Sequence, residues 1–353
     1  MINTLSKSER TRLELEALYE SYGFGKYAMR KFEEYSLYLE NKNFLTSEYI
    51  LTFNDPGGRL MALKPDVTLS ILKNAKNSRA VEKTYYCENV YRLDKQSMQY
   101  REIEQIGLEM LNCSGRVAEA EMCELACKSL SVIDEDYILC VSNMEYVLAV
   151  LDSLEGVSES DKMKMVSFIV SKNAHELYDE LMKAGCSGEF AEKFSKLIMF
   201  SGSNSEVLAL AEELACNERM KGAIESLRPL SGFSNVRIDF TLMNDLAYYN
   251  GLVVCGYVRR IPKAVLTGGF YDKMAKKFGK NNGGAGFAIS LGELNARYEE
   301  KNEYDIDVLV VYSEENNSTE VLERANALRE KGNTVRIERE IPENLRYKDI
   351  VYL

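Results

Sequence analysis

The chain has 353 residues, 46% of them hydrophobic and 28% charged, with a formal net charge of −11. That length can bury a full core and suggests about two domains. The acidic balance disfavours a nucleic-acid partner, because phosphate contacts need clustered Lys and Arg.

The first predicted helix covers residues 6–22. Ser6 and Glu9 match a capping box, Leu15, Leu18, Tyr19 and Tyr22 recur at helical spacing, and Gly23 is placed to end it. Before it, MINTLSKSER has no apolar h-region, and nowhere does an apolar run approach the roughly 18 residues of a membrane span. A cytoplasmic chain with no membrane contact is expected. Two strands, EYILTF (48–53) and RLMALK (59–64), flank NDPGG, a strong turn signal. Residues 66–76 read as helix. KTYYCENVYRL (83–93) reads as a strand, 93–99 as a loop, and REIEQIGLEML (101–111) as a second strand.

Period-2 alternation on that second strand puts Ile106, Leu108 and Met110 on one face and Arg101, Gln105, Gly107 and Glu109 on the other. Glycine weakens a strand interior, so Gly107 between Gln105 and Glu109 suggests room for a ligand at the backbone. A polar edge face with an incidental glycine is the competing reading.

From about residue 115 to 230 the pattern turns helical, with amphipathic stretches at 117–130, 161–183 and 205–217. Strands are expected again at 236–242, 248–258 and 263–274, and GGAGFAISLGEL (283–294) is a Gly-rich approach to a buried strand or helix. Without a strict βαβ alternation, the order favours an antiparallel sheet with helices packed against it, an α+β class. After a linker at 301–303, a strand at 306–312, a helix at 319–332 ended by Gly332, and strands NTVRIE and DIVYL suggest a small parallel α/β module.

The eight cysteines include no C-x-x-C pair. Cys123 and Cys127 lie one helical turn apart, but no second pair or nearby His completes a metal site, so reduced, buried thiols are expected. The single histidine, His175, sits in a polar helical stretch, where a solvated role is expected. No His-based acid/base pair, Ser-His-Asp arrangement or His metal cluster is available. The Gly-rich runs at 268–270 and 283–286 do not match a phosphate loop.

LKPDVTLS, YYCENVYR, YREIEQIGLEML, LAYYNG, LTGGFYD and GGAGFAISLGEL, in this order, resemble the motifs of histidyl-tRNA synthetase and of its paralogue, the regulatory subunit of ATP phosphoribosyltransferase. The resemblance covers roughly residues 10–295. It implies a class II aminoacyl-tRNA synthetase-like antiparallel core over 1–300, with a helical insertion at about 145–230. Residues 301–353 would be a short βαβ module resembling a truncated anticodon-binding domain.

The resemblance also implies a histidine-binding set: Asp66 and Thr68, Gln105 and Glu109 on the pocket strand, and Tyr248 and Tyr249 on the imidazole side. An ammonium group suits carboxylate and amide acceptors, and an imidazole suits a carboxylate and an aromatic wall. On the nucleotide side Arg92, the arginine of the second motif, and Arg101 remain as vestiges. Two catalytic cations of the synthetases are missing by the same comparison. Asn244 stands where they carry an arginine ahead of the paired tyrosines, and Glu293 stands where their third motif ends in arginine. A carboxylate beside a triphosphate repels it, and a lost charge stabiliser raises an activation barrier by several kcal/mol.

The resemblance therefore implies no catalytic residue and no cofactor. The expected role is a homodimer within a hetero-oligomer that binds L-histidine and regulates a short-form ATP phosphoribosyltransferase in the first step of histidine biosynthesis. An active histidyl-tRNA synthetase and a free-standing amino-acid sensor are the alternatives.

Overall fold

The structure is a computed structural model, and it describes residues 6–353 except 43–48, 76–79, 95–96, 244–245, 247, 293 and 295–302. The described residues fall into two compact units, one within 8–297 and one built on 303–353.

In chain order the larger unit begins with α1 (Lys7–Ser21), β1 (Gly25–Lys26), β2 (Phe32–Glu34) and α2 (Tyr35–Glu40). β3 (Thr52–Asn54) and β4 (Leu60–Leu63) follow, then α3 (Thr68–Asn74) and the long hairpin β5 (Glu82–Asp94) and β6 (Gln99–Leu111). Next are α4 (Arg116–Ile133), β7 (Tyr137–Asn143), and a run of six helices: α5 (Met144–Asp152), α6 (Glu159–Val170), α7 (Ala174–Lys183), α8 (Gly188–Met199), α9 (Asn204–Leu214) and α10 (Glu218–Leu227). The unit closes with β8 (Val236–Ile238), β9 (Leu252–Val258), β10 (Leu266–Phe270), α11 (Asp272–Lys277) and β11 (Gly284–Ser290).

Eight strands form one sheet in the order β1-β5-β6-β11-β10-β9-β7-β8. Its pairs are antiparallel except β1 with β5 and β7 with β8, so the expected antiparallel α+β core is present with parallel edges. β2, β4 and β3 make a separate small antiparallel sheet. The turn between β3 and β4 is built as its residues demand. Asp55 Oδ1 accepts the N–H groups of Gly57 and Arg59, and Gly58 takes φ +79°.

The two faces of the main sheet have different covers. Ile106, Leu108 and Met110 point to the back, where α1 and α4 lie. Tyr19 of α1 packs its ring 6.0 Å from Tyr85 and 6.3 Å from Phe287. A Cβ on Gly256 would lie 2.7 Å from Leu130 of α4, so glycine permits this close helix–sheet contact. On the front, Leu69, Ile71 and Leu72 of α3 form a second core with Tyr86, Val90, Tyr248, Tyr271 and Met274.

Four sequence expectations need correction. The strand expected at 236–242 ends at Ile238, where Asp239 Oδ1 accepts the Thr241 N–H and turns the chain. Residues 115–230 are not helical throughout: YILCVSN forms β7, whose Leu139 and Val141 are fully buried in the sheet. Residues 248–258 are strand only from Leu252, because Gly251 at φ +81° turns the chain and Tyr248 precedes the turn. Residues 263–274 are strand only over Leu266–Phe270. Tyr271 N–H bonds Gly284 O at 2.8 Å as the last rung, and Tyr271 O then accepts Ala275 N–H as α11 begins.

The helical run owes its regularity to its caps. Asn143, Ser158, Asn173, Ser187, Ser203 and Asn217 each accept a backbone N–H from the first turn of the helix they precede.

The smaller unit comprises β12 (Ile306–Val311), α12 (Ser318–Glu330), β13 (Val335–Glu338) and β14 (Tyr347–Tyr352). Its sheet is parallel, in the order β13-β12-β14, with Leu309 and Val310 fully buried on the central strand. No helix of the described residues is long and apolar enough to cross a membrane.

Candidate functional site

The site is built on the front face of the main sheet. Register places Glu109 opposite Gly286, which in turn faces Gly269, and places Gly107 opposite Ala288. The centre of this face therefore carries almost no side-chain volume. A Cβ on Gly286 would lie 2.0 Å from Glu109 Oε2, so only glycine leaves room for that carboxyl. Gly107 serves a different purpose from the one its sequence context suggests. A Cβ there would sit 2.5 Å from Tyr86 Oη, so the space is filled by the Tyr86 phenol rather than left for a ligand.

One wall comes from the turn ahead of α3. Asp66 Oδ1 accepts the Leu69 N–H at 2.9 Å and ties the turn to the helix start. Arg92 Nε donates to Pro65 O at 2.8 Å and braces the same turn. Burial pushes the Asp66 carboxyl above its ordinary range, while Arg92, the Leu69 and Thr68 N–H groups and the Tyr248 hydroxyl pull it back. Tyr248 and Tyr249 form the facing wall, with ring centroids 4.6 Å apart, and Tyr248 meets Tyr271 edge-on at 6.0 Å.

Glu109 lies at the bottom and is 2% exposed. Thr68 donates its hydroxyl to Oε1 and Tyr271 donates to Oε2. Burial dominates and pushes the Glu109 carboxyl up to about 8, with the two hydroxyls acting the other way and nearby Asp66 adding to the rise. Gln105, on the same face, is 8% exposed. Beside it Glu88, its cross-strand neighbour, pairs with the Lys64 ammonium, which is 1% exposed.

Asp66, Thr68, Gln105, Glu109, Tyr248, Tyr249 and Arg92 thus gather around one face. Arg101 does not join them: it is exposed on the hairpin and pairs with Asp94 at 2.6 Å. Eight residues separate it from Glu109 along β6, a strand distance of about 26 Å at about 3.3 Å per residue. Asn244 and Glu293 lie outside the described residues. His175 is 84% exposed on α7, as its polar context suggests.

The sequence alone does not pick out Tyr271 and Tyr86, although both stand inside the quoted motifs, whereas Gly286 lies in the Gly-rich run 283–286. Their role depends on which side chain reaches Glu109, and spacing alone does not specify that. Among the described residues no group of three or more His, Cys, Asp or Glu side chains is placed to hold a metal. Chemically, the site offers the buried Glu109 carboxyl, the half-buried Asp66 carboxyl, the Gln105 amide and aromatic walls. That set suits a small ligand with an ammonium group and a second, flat polar group.

The histidyl-tRNA synthetase family model matches residues 3–294. A Thermoanaerobacter sp. protein named ATP phosphoribosyltransferase regulatory subunit is 30% identical over 316 residues, covering 84% of this chain and 82% of that one. A Bacillus halodurans structure described as ATP phosphoribosyltransferase regulatory subunit/histidyl-tRNA synthetase superposes with a TM-score of 0.79. It is 22% identical and covers 98% of this chain and 93% of its own. A chain of the ATP phosphoribosyl transferase (HisG:HisZ) complex from Thermotoga maritima superposes at 0.59, with 20% identity and coverage of 79% and 96%.

Proposed function

We infer the function from one starting point: this chain belongs to the histidyl-tRNA synthetase family. Within that family we read it as a regulatory subunit of ATP phosphoribosyltransferase, carrying no catalytic residue of its own. The name carried by the Thermoanaerobacter relative supports this reading, as does the likeness in fold to a chain of the Thermotoga ATP phosphoribosyl transferase (HisG:HisZ) complex. The partner on this reading is a short-form catalytic subunit of the first step of histidine biosynthesis, and the assembly is a hetero-oligomer.

The observation that carries the ligand assignment is the convergence of Asp66, Gln105 and Glu109 from two elements onto one buried face walled by Tyr248 and Tyr249. The ligand is L-histidine. Its ammonium meets Asp66, Thr68 and Gln105, and its imidazole meets Glu109 between the tyrosines. Feedback through this site requires that histidine bind the active and inhibited assemblies with different affinity.

Synthetase activity is lost on this reading, because Asn244 and Glu293 stand where a working enzyme needs cations. Isothermal titration with L-histidine and with ATP tests both points. Heat with histidine and none with ATP is the expected result, together with no histidine-dependent pyrophosphate exchange. Measurable exchange would restore the synthetase reading, which the family model keeps open.

A further inference from the structure

Glu109 is a carboxyl group with donors on both oxygens, and among the described residues no cation is seen to lower it. Thr68 from the start of α3 donates to one oxygen, and Tyr271 from the turn after β10 donates to the other. The hydrogen of Gly286 on β11 faces the second oxygen, where no larger side chain fits. The other ionisable groups that act on it are Asp66 beside α3, Tyr86 on β5, Tyr248 ahead of β9, and Cys113 after β6; all are acids. Asp272, at the start of α11, acts on Cys113 and adds a further carboxyl behind it. Arg92 acts on Asp66 and Tyr86, but no Lys or Arg among the described residues compensates Glu109.

A carboxylate held in such a place has two ways to avoid an uncompensated buried charge. It keeps its proton while the site is empty, or it receives a cation with the ligand. An imidazole serves either way, since it accepts a proton on one ring nitrogen near neutral pH.

We propose that the ligand's imidazole ring and the Glu109 carboxyl hold one proton between them in the complex, so that binding selects the once-protonated state of the pair. This rests on the reading of the pocket as a histidine site. The proton lies on the line between a carboxyl oxygen and a ring nitrogen. Thr68 and Tyr271 keep donating to Glu109, one to each oxygen, and the remaining lone pairs are open to the ligand. Tyr271 is a positioning residue here, since it acts through Glu109.

The consequence is a bell-shaped affinity. Below the ordinary imidazole value of about 6.5 the free partners carry two protons, and one is released on binding. Above about 8, where the free Glu109 ionises, they carry none and one is taken up. Between these limits binding exchanges almost no protons.

The test is calorimetric titration of the full chain with L-histidine at pH 5.5, 7.2 and 8.8, each in two buffers of different ionisation enthalpy. Affinity should peak near pH 7.2 and fall about tenfold for each pH unit beyond either limb. Release of nearly one proton is expected at pH 5.5, and uptake of one at pH 8.8 in excess of that seen with Glu109→Gln. The Gln variant retains the ammonium contacts and so corrects for titration of the ligand's own amino group. Tyr271→Phe keeps the ring but removes a donor to the charged form, so its alkaline limb should move to higher pH. Should Glu109→Gln bind nothing, the shift in Tyr271→Phe decides. Affinity that keeps climbing through pH 8.8, with proton release at pH 7.2, would mean a bare carboxylate meets a neutral imidazole, and the proposal fails. No histidine heat at any pH, with or without the phosphoribosyltransferase subunit, overturns instead the pocket reading beneath it.

Discussion

At the scale of single residues, the site is held in place by the cost of burying charge. Glu109 titrates near 8 rather than at its ordinary 4.5 because its burial outweighs the two hydroxyl donors. The folded chain therefore binds this proton more tightly than the unfolded chain does. Its contribution to stability is complete below about 4.5 and is lost as pH rises through about 8. Thermal melts of the ligand-free chain should show Tm falling from pH 6 to pH 9, and Glu109→Gln should flatten that slope. The amide carries no charge to bury, so the variant should gain on the order of a few kcal/mol relative to the parent at the alkaline end. An equal slope in both proteins would show that other groups govern it. Lys64 and Glu88 solve the same problem differently, by pairing a nearly inaccessible ammonium with a partly covered carboxylate.

At the scale of elements, local sequence accounts for the helices better than for the strands. The run from α5 to α10 is readable because each helix is preceded by Ser or Asn, whose side chain satisfies a first-turn N–H. Ser187→Ala removes the cap of α8 and should cost about 0.5–2 kcal/mol in urea denaturation, without altering histidine binding. A loss of binding would tie the helical run to the pocket more closely than its residues suggest. β7 was hidden because a short apolar run, Tyr137–Val141, between helices looks the same as buried helix by periodicity. The Leu266–Lys277 break was equally hidden. No glycine or proline separates Phe270 from Asp272, and only the pairing of Tyr271 with Gly284 tells the chain where the ladder stops.

At the scale of the whole molecule, every residue of the candidate site lies in the unit within 8–297, and none lies in 303–353. A chain ending at 297 should therefore keep its histidine heat within about twofold, read by calorimetry against the full chain. Loss of the heat would assign the parallel-sheet unit a part in the pocket.

The sequence by itself determined the α+β class, the β5–β6 hairpin, the helical character of most of 115–230 and the strand–helix–strand–strand order at the end. Each of these rests on a pattern repeated over several neighbouring residues: alternation, helical spacing or a cap. It also marked Gln105 and Glu109 as residues sharing one face of one strand, since strand geometry is local. Only the tertiary structure decided what covers that face. Gly107 admits Tyr86, Gly286 admits Glu109, and Tyr271 reaches back across the sheet to a residue 162 positions away. These are contacts between distant segments, set by sheet order and register, and one residue of slippage would turn each side chain to the opposite face. Arg101 shows the same rule from the other side. It shares the face of Glu109 by alternation, yet the length of the strand carries it out to solvent and to Asp94.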